Sequence, residues 1–299
     1  MRHDVTSHGA LTVTRSRTAD YVALAKPELT LLAVLTSVGG AYLAGRDSIP
    51  YLAMVYSLLG TTLVGAGAGA LNQYIERNSD ALMRRTENRP LPSGRVQPRE
   101  ALLFGISVSV LGVLQLGFLT HPLAGCLAAV TLVTYLFLYT PLKRITPFAT
   151  VVGGLPGALP PLIGWAAVAG DLPIGAWSLF FILFFWQMPH FLSLAWMYRK
   201  DYARAGYKML TVVDPTGQAA ARQILIYNLA LIPAALAPTL LRILSPLYSV
   251  GALVLSLGFL VQAVRLYRER TNVNARKLFY GSLVYLSVLI GLMILDRTL

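Results

Sequence analysis

Nine long apolar segments, separated by shorter polar stretches, dominate this 299-residue chain. Each is close to the roughly 20 residues that an α-helix needs to cross a bilayer. The chain is only 13% charged, whereas a soluble domain carries about 25%. The pattern therefore predicts an all-α fold, an integral membrane bundle of nine transmembrane helices. The segments cover residues 27–45, 50–71, 100–120, 123–140, 147–169, 175–197, 223–241, 245–264 and 278–295.

The basic residues are distributed unevenly between the two ends of these segments. If the N-terminus lies inside and the spans alternate, the outer stretches hold only Arg46, Arg242 and Arg297, and the other 22 of the 25 lysines and arginines are inside. Such an excess marks the cytoplasmic side of a membrane protein. It predicts a multi-pass protein of the cell inner membrane, or of the mitochondrial inner membrane in a eukaryote, with a cytoplasmic N-terminus and an outer C-terminus. It also explains the net charge of +12 without a nucleic-acid partner.

The N-terminal stretch and the cysteine content limit the remaining options. Residues 1–20 are polar and lack the apolar core of a signal peptide, which predicts a disordered cytoplasmic tail before a single transmembrane domain at 21–299. Cys126 is the only cysteine, so an internal disulfide and a CxxC motif are excluded. Its apolar surroundings predict a buried structural thiol.

The polar stretch after the second segment carries the strongest candidate site. Asn72, Glu76 and Asp80 are spaced four residues apart, which places them on one face of a helix with a drift of about 40° per step. Oxygen ligands in such a row suit a hard cation such as Mg²⁺, and Arg85 and Arg89 just beyond them suit a phosphate. The stretch therefore predicts a Mg²⁺–diphosphate site at the membrane boundary. A solvated helix end with arginines that balance the acids is the alternative.

Two further inner stretches contain ionisable residues at a predicted helix end. Tyr139, Lys143 and Arg144 close the fourth segment, where the two cations either donate to diphosphate oxygens or serve only as a topology signal. Asp201 follows the sixth segment, four spans after Asp80, and is either a surface acid or a second Mg²⁺ anchor that faces Asp80 across the bundle. The repetition indicates two half-sites from a weak internal duplication.

His190 lies inside the sixth segment, directly after Pro189. An ionisable side chain within a membrane span is a functional candidate by default, and the proline predicts a kink beside it. A packed, hydrogen-bonded core histidine is the alternative interpretation.

Taken together, these runs resemble the UbiA superfamily of intramembrane prenyltransferases. The superfamily signature is similar to Asn72-x3-Glu76-x3-Asp80-x2-Met83-x-Arg85-Thr86-x2-Arg89-x4-Gly94. Four other runs are similar to the heme-modifying branch of the superfamily, and the resemblance extends over nearly the whole chain. These runs are 139–144, 157–165, 186–191 and 201–210.

The resemblance implies a fold and a reaction. It implies a helical bundle around a central cavity that opens to the cytoplasmic side. It implies Mg²⁺-dependent transfer of the farnesyl group of farnesyl diphosphate to a vinyl group of heme b, with heme O and diphosphate as products. Membrane lipid surrounds such an enzyme, and heme A synthase or oxidase assembly factors are the further partners that it implies.

The resemblance also implies residue roles. His190 belongs to the heme side, as an iron ligand, a base or an orienting group. The residues that it implies for metal binding are Asn72, Glu76, Asp80 and Asp201. The residues that it implies for catalysis are Asn72, Asp80, Asp201 and His190. The diphosphate-binding residues are Arg85, Arg89, Lys143, Arg144 and Tyr139.

Three positions depart from the family pattern. Glu76 stands where aspartate is common, Ser79 stands where the side chain is usually bulky and apolar, and Lys200 precedes Asp201 where many relatives have a second acid. The second half-site therefore has one carboxylate, which leaves open whether it holds a metal of its own.

Two other functions are compatible with the residues. The first is the same chemistry on an aromatic or quinone precursor, against which the runs around His190 and Asp201 argue. The second is a membrane transporter. Transporters tend to place charged groups at the bilayer midplane, whereas nearly all charges of this chain lie at the inner ends of the spans.

The odd number of spans makes the orientation testable. A reporter fused to the C-terminus is expected to lie on the outer side of the membrane, because nine spans reverse the position of a cytoplasmic N-terminus. Alkaline phosphatase, which is active only outside, and green fluorescent protein, which fluoresces inside, provide the two matched fusions. A fluorescent, phosphatase-inactive C-terminus would exclude the nine-span topology.

Overall fold

The computed structural model describes residues 16–45 and 49–298, with side chains up to residue 297. Over these residues the chain forms helices and no strand. The helices in chain order are α1 (Arg17–Ala25), α2 (Pro27–Ala44), α3 (Tyr51–Asp80), α4 (Pro98–Leu119), α5 (Pro122–Val133), α6 (Thr140–Leu142), α7 (Ala149–Ala158), α8 (Pro160–Ala169), α9 (Ile174–Met197), α10 (Arg199–Arg204), α11 (Leu210–Val213), α12 (Gln218–Leu240), α13 (Pro246–Arg268) and α14 (Asn272–Thr298). A π-helix at Thr134–Tyr139 links α5 to α6.

Nine helical stretches in the described part are long and apolar enough to span a membrane, which confirms the predicted number. The fourth span combines α5, the π-helix and α6, and the fifth combines α7 and α8. The fifth span breaks before Pro160 and Pro161, because proline supplies no backbone N–H to the preceding turn. The second span extends beyond its predicted end at residue 71, since α3 continues to Asp80.

A short helix replaces the end of the predicted tail. α1 begins at Arg17, where the Ser16 hydroxyl accepts a hydrogen bond of 3.3 Å from the Ala19 amide. Asp20 is buried and pairs with Arg95 at 2.8 Å, which ties α1 to the chain after α3. The boundary predicted at residue 20 is therefore too late. The rest of the predicted tail, residues 1–15, lies outside the described residues.

The spans form a closed ring in which each contacts the next, and α14 returns to α2. α2 and α8 approach each other closely. A Cβ added to Gly164 would lie 1.7 Å from the Ser37 carbonyl oxygen, and one added to Gly40 would lie 2.1 Å from the Pro161 carbonyl oxygen. Small residues thus let the two backbones touch, which is the usual way in which membrane helices pack tightly.

Polar groups collect at one end of the ring, which we call the basic face. It is the end at which α2 begins and α3 and α9 finish, and most lysines and arginines flank it. The outer flank of the ring is apolar, with Phe118 82% and Leu240 79% exposed. Cys126 is also exposed, so the prediction of a buried thiol is wrong. Its apolar neighbours in the sequence indicate contact with lipid instead of a protein core.

Candidate active site

The predicted polar stripe lies on the last turns of α3, at the basic face. Asn72, Glu76 and Asp80 are all buried, with 2%, 7% and 1% of their surface exposed. The Asn72 amide donates to Glu76 Oε2 at 3.0 Å, so the helical spacing brings the side chains together as expected. Two buried carboxylates at a membrane boundary require charged or hydrogen-bonding partners. The surrounding elements supply these partners.

Glu76 is held by two side chains from different elements. Lys143, which follows α6, forms an ion pair with Glu76 Oε1. The Tyr207 hydroxyl donates to the same oxygen at 2.9 Å. Burial and the nearby Glu76 charge raise the pKa of Tyr207, so this tyrosine remains a neutral donor. The Lys143 ammonium also lies 4.8 Å from the centre of the Tyr139 ring, a cation–π contact.

Asp80 is paired by the chain that folds back after α3. Arg89 Nη1 donates to Asp80 Oδ2 at 2.7 Å. The turn is fixed by Thr86, whose hydroxyl donates to the Asp80 carbonyl oxygen at 2.8 Å. The chain beyond α3 therefore returns Arg89 onto the acidic stripe. Arg85 does not join it, because its guanidinium lies 5.0 Å from the centre of the Tyr198 ring, at the end of α9.

Ser79 explains one departure from the family pattern. Its hydroxyl accepts a hydrogen bond from Arg144 Nη2. A bulky apolar side chain at this position could not accept that bond. Ser79 thereby places Arg144 next to the acidic stripe, beside Lys143.

Asp201 lies on α10 and is 9% exposed. Its carboxylate forms an ion pair with Arg204 on the same short helix. This ion pair does not link Asp201 to Asp80. The segment itself covers the stripe, since Met83, beyond α3, packs in one apolar cluster with Tyr207 and Met209. The two predicted half-sites therefore share one packed layer, although each acid has its own cationic partner.

Lys26 is a site residue that the sequence analysis missed. Its Nζ donates to Asn72 Oδ1 at 2.7 Å. Burial, together with the positive charge of Arg89, lowers the pKa of Lys26 to about 7. Its backbone is left-handed, with φ of 47°, in the single residue between α1 and α2. In the sequence, the only indication that Lys26 has a special position is that it directly precedes Pro27, because a residue before proline marks a helix boundary.

Asn72, Glu76 and Asp80 fit a hard divalent cation by the chemistry of their oxygen donors. In the described residues, however, no three His, Cys, Asp or Glu side chains lie close enough to hold a metal by themselves. A cation at this position would therefore also need the Asn72 amide oxygen and oxygens of a bound ligand. Mg²⁺ is commonly held in this way, by one or two carboxylates together with substrate phosphates.

His190 occupies a separate, aromatic part of the interior. It is 6% exposed, and its ring stacks on Phe279 of α14 with 4.6 Å between centres. Trp186 lies on its other side at 5.1 Å. His190 Nδ1 and Ser282 Oγ are 2.7 Å apart. His190 is seven residues before the end of α9, about 10 Å deeper than the basic face.

The Ser282 contact determines which nitrogen of His190 carries the proton. The Ser282 hydroxyl donates its hydrogen to the Phe279 carbonyl oxygen at 2.5 Å. With its hydrogen on that carbonyl, the Ser282 hydroxyl oxygen is available to accept a hydrogen bond from His190 Nδ1–H. In a neutral imidazole this leaves the lone pair on Nε2. Ser282 was also missed by the sequence analysis, because its hydrogen-bond partner is 92 residues away in the chain.

A sequence model of the UbiA prenyltransferase family matches residues 33–289. A solved UbiA homolog from Aeropyrum pernix aligns with a TM-score of 0.73, at 18% identity, over 91% of this chain and 98% of that one. A homolog from Archaeoglobus fulgidus, bound to GPP and Mg²⁺, aligns with a TM-score of 0.69, at 16% identity, over 94% of this chain and 100% of that one. The chain belongs to the UbiA prenyltransferase family.

Within the family, the similar proteins are protoheme IX farnesyltransferases. That of Solibacter usitatus is 49% identical, over 93% of this chain and 98% of the relative. That of Koribacter versatilis is 42% identical, over 94% of each. These likenesses confirm the heme branch that the motifs predicted.

The Glu76–Lys143 pair yields a test of the buried charges. Replacing Lys143 with Met leaves the Glu76 carboxylate buried without its counter-ion, which is expected to cost about 3–5 kcal/mol of stability. The double change Lys143→Met with Glu76→Gln removes both charges and is expected to recover most of that loss. Thermal unfolding in detergent measures both variants, and Arg144→Met is the control, because Ser79 is neutral. A double variant as unstable as Lys143→Met alone would contradict the pairing.

Proposed function

We propose that this protein transfers the farnesyl group of farnesyl diphosphate to a vinyl group of heme b and releases heme O and diphosphate. The observation that carries the proposal is the buried Asn72–Glu76–Asp80 stripe, which Lys26, Arg89, Lys143 and Arg144 surround at one end of a transmembrane bundle. Arg89, Lys143 and Arg144 against two carboxylates leave an excess of positive charge, to which Lys26 adds when it is protonated. An anionic ligand with an apolar tail matches such a site, with its charge at the basic face and its tail among the spans.

The residues around the stripe would bind the diphosphate. Arg89 and Lys143 lie against the acids and would donate to the phosphate oxygens of the bound donor. Asn72, Glu76 and Asp80 would hold Mg²⁺ together with those oxygens. When bound, Mg²⁺ neutralises charge that develops on the leaving diphosphate. We assign Asp201, Arg85, Arg144 and Tyr139 to the rim of the same site, as the resemblance of their runs to the family suggests.

The proposed reaction needs no protein nucleophile. The bond between farnesyl C1 and the diphosphate oxygen breaks, and the diphosphate leaves with the electron pair. The terminal vinyl carbon of heme forms a bond to C1, and water then adds to the neighbouring carbon with release of a proton. Basic side chains stabilise the departing anion. The buried setting keeps water away from the cation until the new carbon–carbon bond has formed.

His190 would act on the heme side. Its Nδ1 is engaged by Ser282, so Nε2 carries the lone pair that can bind iron or accept a proton. Trp186 and Phe279 fix the ring from both sides and prevent it from turning. Ser282 is then a positioning residue, because it sets the tautomer without contacting the acceptor.

The proposal also includes the orientation of the protein in the membrane and the fate of its product, heme O. We assign the basic face to the cytoplasmic side of the cell inner membrane and the C-terminus to the outer side, and the excess of basic residues at that face supports this orientation. Heme O is more apolar than heme b and stays in the bilayer, where an oxidising enzyme such as heme A synthase, or an oxidase assembly factor, would collect it.

The acidic residues provide the first functional test. Asp80→Ala and Asp201→Ala are each expected to lower heme O formation by about 10²-fold or more, as loss of one transition-state stabilising group does. Purified protein receives heme b and farnesyl diphosphate, with and without Mg²⁺, and mass spectrometry measures heme O. Glu87→Ala is the matched control, because Glu87 is an exposed acid in the same polar stretch. Full activity in Asp80→Ala, or activity on a phenolic acceptor in place of heme b, would refute the proposal.

The histidine provides a separate test of the heme side. His190→Ala is expected to bind farnesyl diphosphate as the unaltered protein does and to form no heme O, since the donor site lies at the basic face. Ser282→Ala is expected to lose about 10–100-fold of the activity, the usual cost of removing a group that orients a functional histidine. Calorimetry with farnesyl diphosphate and the heme O assay separate binding from conversion. Equal loss of donor binding in both variants would show that His190 has only a structural role.

A further inference from the structure

Apart from the candidate active site, a cleft opens at the basic face, between the end of α13 and the start of α14. Its volume is about 730 Å³. Only these two helices line it, and none of its residues belongs to the candidate active site. A cleft between two neighbouring spans on the outside of the ring opens toward the lipid.

Three cations without counter-ions line this cleft. Arg265, Arg276 and Lys277 are exposed. The ion pairs found among the described residues involve other groups, so no carboxylate neutralises these three. Uncompensated positive charge at a membrane boundary attracts the anionic head groups of lipids.

One face of α14 changes from charged to apolar with depth. Val273, Lys277, Tyr280 and Val284 follow at intervals of four, three and four residues, so they share one face of the helix. Tyr280 is 59% and Val284 is 60% exposed. Val284 lies about 10 Å deeper than Lys277 along the axis. A cation, an aromatic ring and an aliphatic side chain thus follow in the order of the phosphate, the interface and the acyl chains of a lipid.

Gln262 of α13 supplies an unsatisfied polar group inside the cleft. Its Oε1 is buried and has no hydrogen-bond partner in the described part of the protein. The amide lies over Gly281, where an added Cβ would be 2.2 Å from Oε1. Gln262 is one turn deeper than Arg265, at the level of the glycerol backbone of a lipid whose phosphate contacts that arginine.

We propose that this cleft is a binding site for one anionic phospholipid. The phosphate lies among Arg265, Arg276 and Lys277, and an acyl chain runs along Tyr280 and Val284. A zwitterionic lipid fits less well, since its ammonium group would meet three cations. Heme b also combines carboxylates with an apolar body, but the cleft is open on its lipid side and is built from two adjacent helices only, which matches a chain-like ligand better than a broad, flat one.

The site has a mechanical link to the heme side of the enzyme. Phe279, which stacks on His190, is the neighbour of Tyr280, and the two rings contact each other at 5.3 Å between centres. A lipid held against Tyr280 would therefore steady the part of α14 that positions His190.

Native mass spectrometry of the full protein tests the proposal directly. The protein is released from nanodiscs that contain equal amounts of phosphatidylglycerol and phosphatidylcholine, and the retained lipids are counted. We expect one retained phosphatidylglycerol, and about 25-fold weaker retention in the variant Arg276→Gln with Lys277→Gln, because each basic residue near an anionic surface contributes about fivefold. The matched control is Arg268→Gln with Arg270→Gln, which removes two charges from the same end of α13 without altering the lining of the cleft.

Every outcome decides the proposal. Loss confined to the cleft variant and to phosphatidylglycerol supports it. Equal loss in the control variant would show a general surface-charge effect, and unchanged retention in both variants would show that the lipid binds elsewhere. Displacement of the retained lipid by one equivalent of heme b would assign the cleft to the acceptor instead.

Discussion

The structure depends on the neutralisation of two carboxylates that are buried where a membrane helix ends. Glu76 and Asp80 cannot be tolerated at that depth without partners, and their partners come from widely separated parts of the chain. Lys143 follows the fourth span, Arg89 lies in the turn beyond α3, and Tyr207 lies in the segment after the sixth span. The same contacts that satisfy the acids therefore fix the relative positions of the polar connections at the basic face.

The sequence was sufficient for features that depend on local periodicity. The nine spans follow from hydropathy, and the buried stripe follows from a spacing of four residues. Pro90 and Pro92 are incompatible with a helix that continues beyond Arg89, and there the chain returns so that Arg89 pairs with Asp80. The contacts of Lys26 and Ser282 could not be predicted in this way, because they join residues that are 46 and 92 positions apart. The end of the tail was misplaced for the same reason, since α1 is held by the distant Arg95.

The two parts of the candidate site have opposite physical character. The basic face is polar and strongly charged, whereas His190 lies among aromatic rings deeper in the bundle. A single helix, α9, connects them, because it carries His190 within the span and leads at its end into α10 and Asp201. A rigid connection of this kind is what a reaction between a charged donor and an apolar acceptor requires, since the reacting ends must meet at a fixed distance.

The length of α3 has a consequence for how far a substrate can sink into the membrane. At 30 residues, the helix is about 45 Å long, which exceeds the roughly 30 Å of hydrocarbon by several turns. The surplus turns are those that carry Asn72, Glu76 and Asp80. The apolar part of α3 matches the thickness of the hydrocarbon layer. In the proposed function, its last turns would hold the charged head of the donor at the level of the lipid phosphates, and the isoprenoid chain would extend inward.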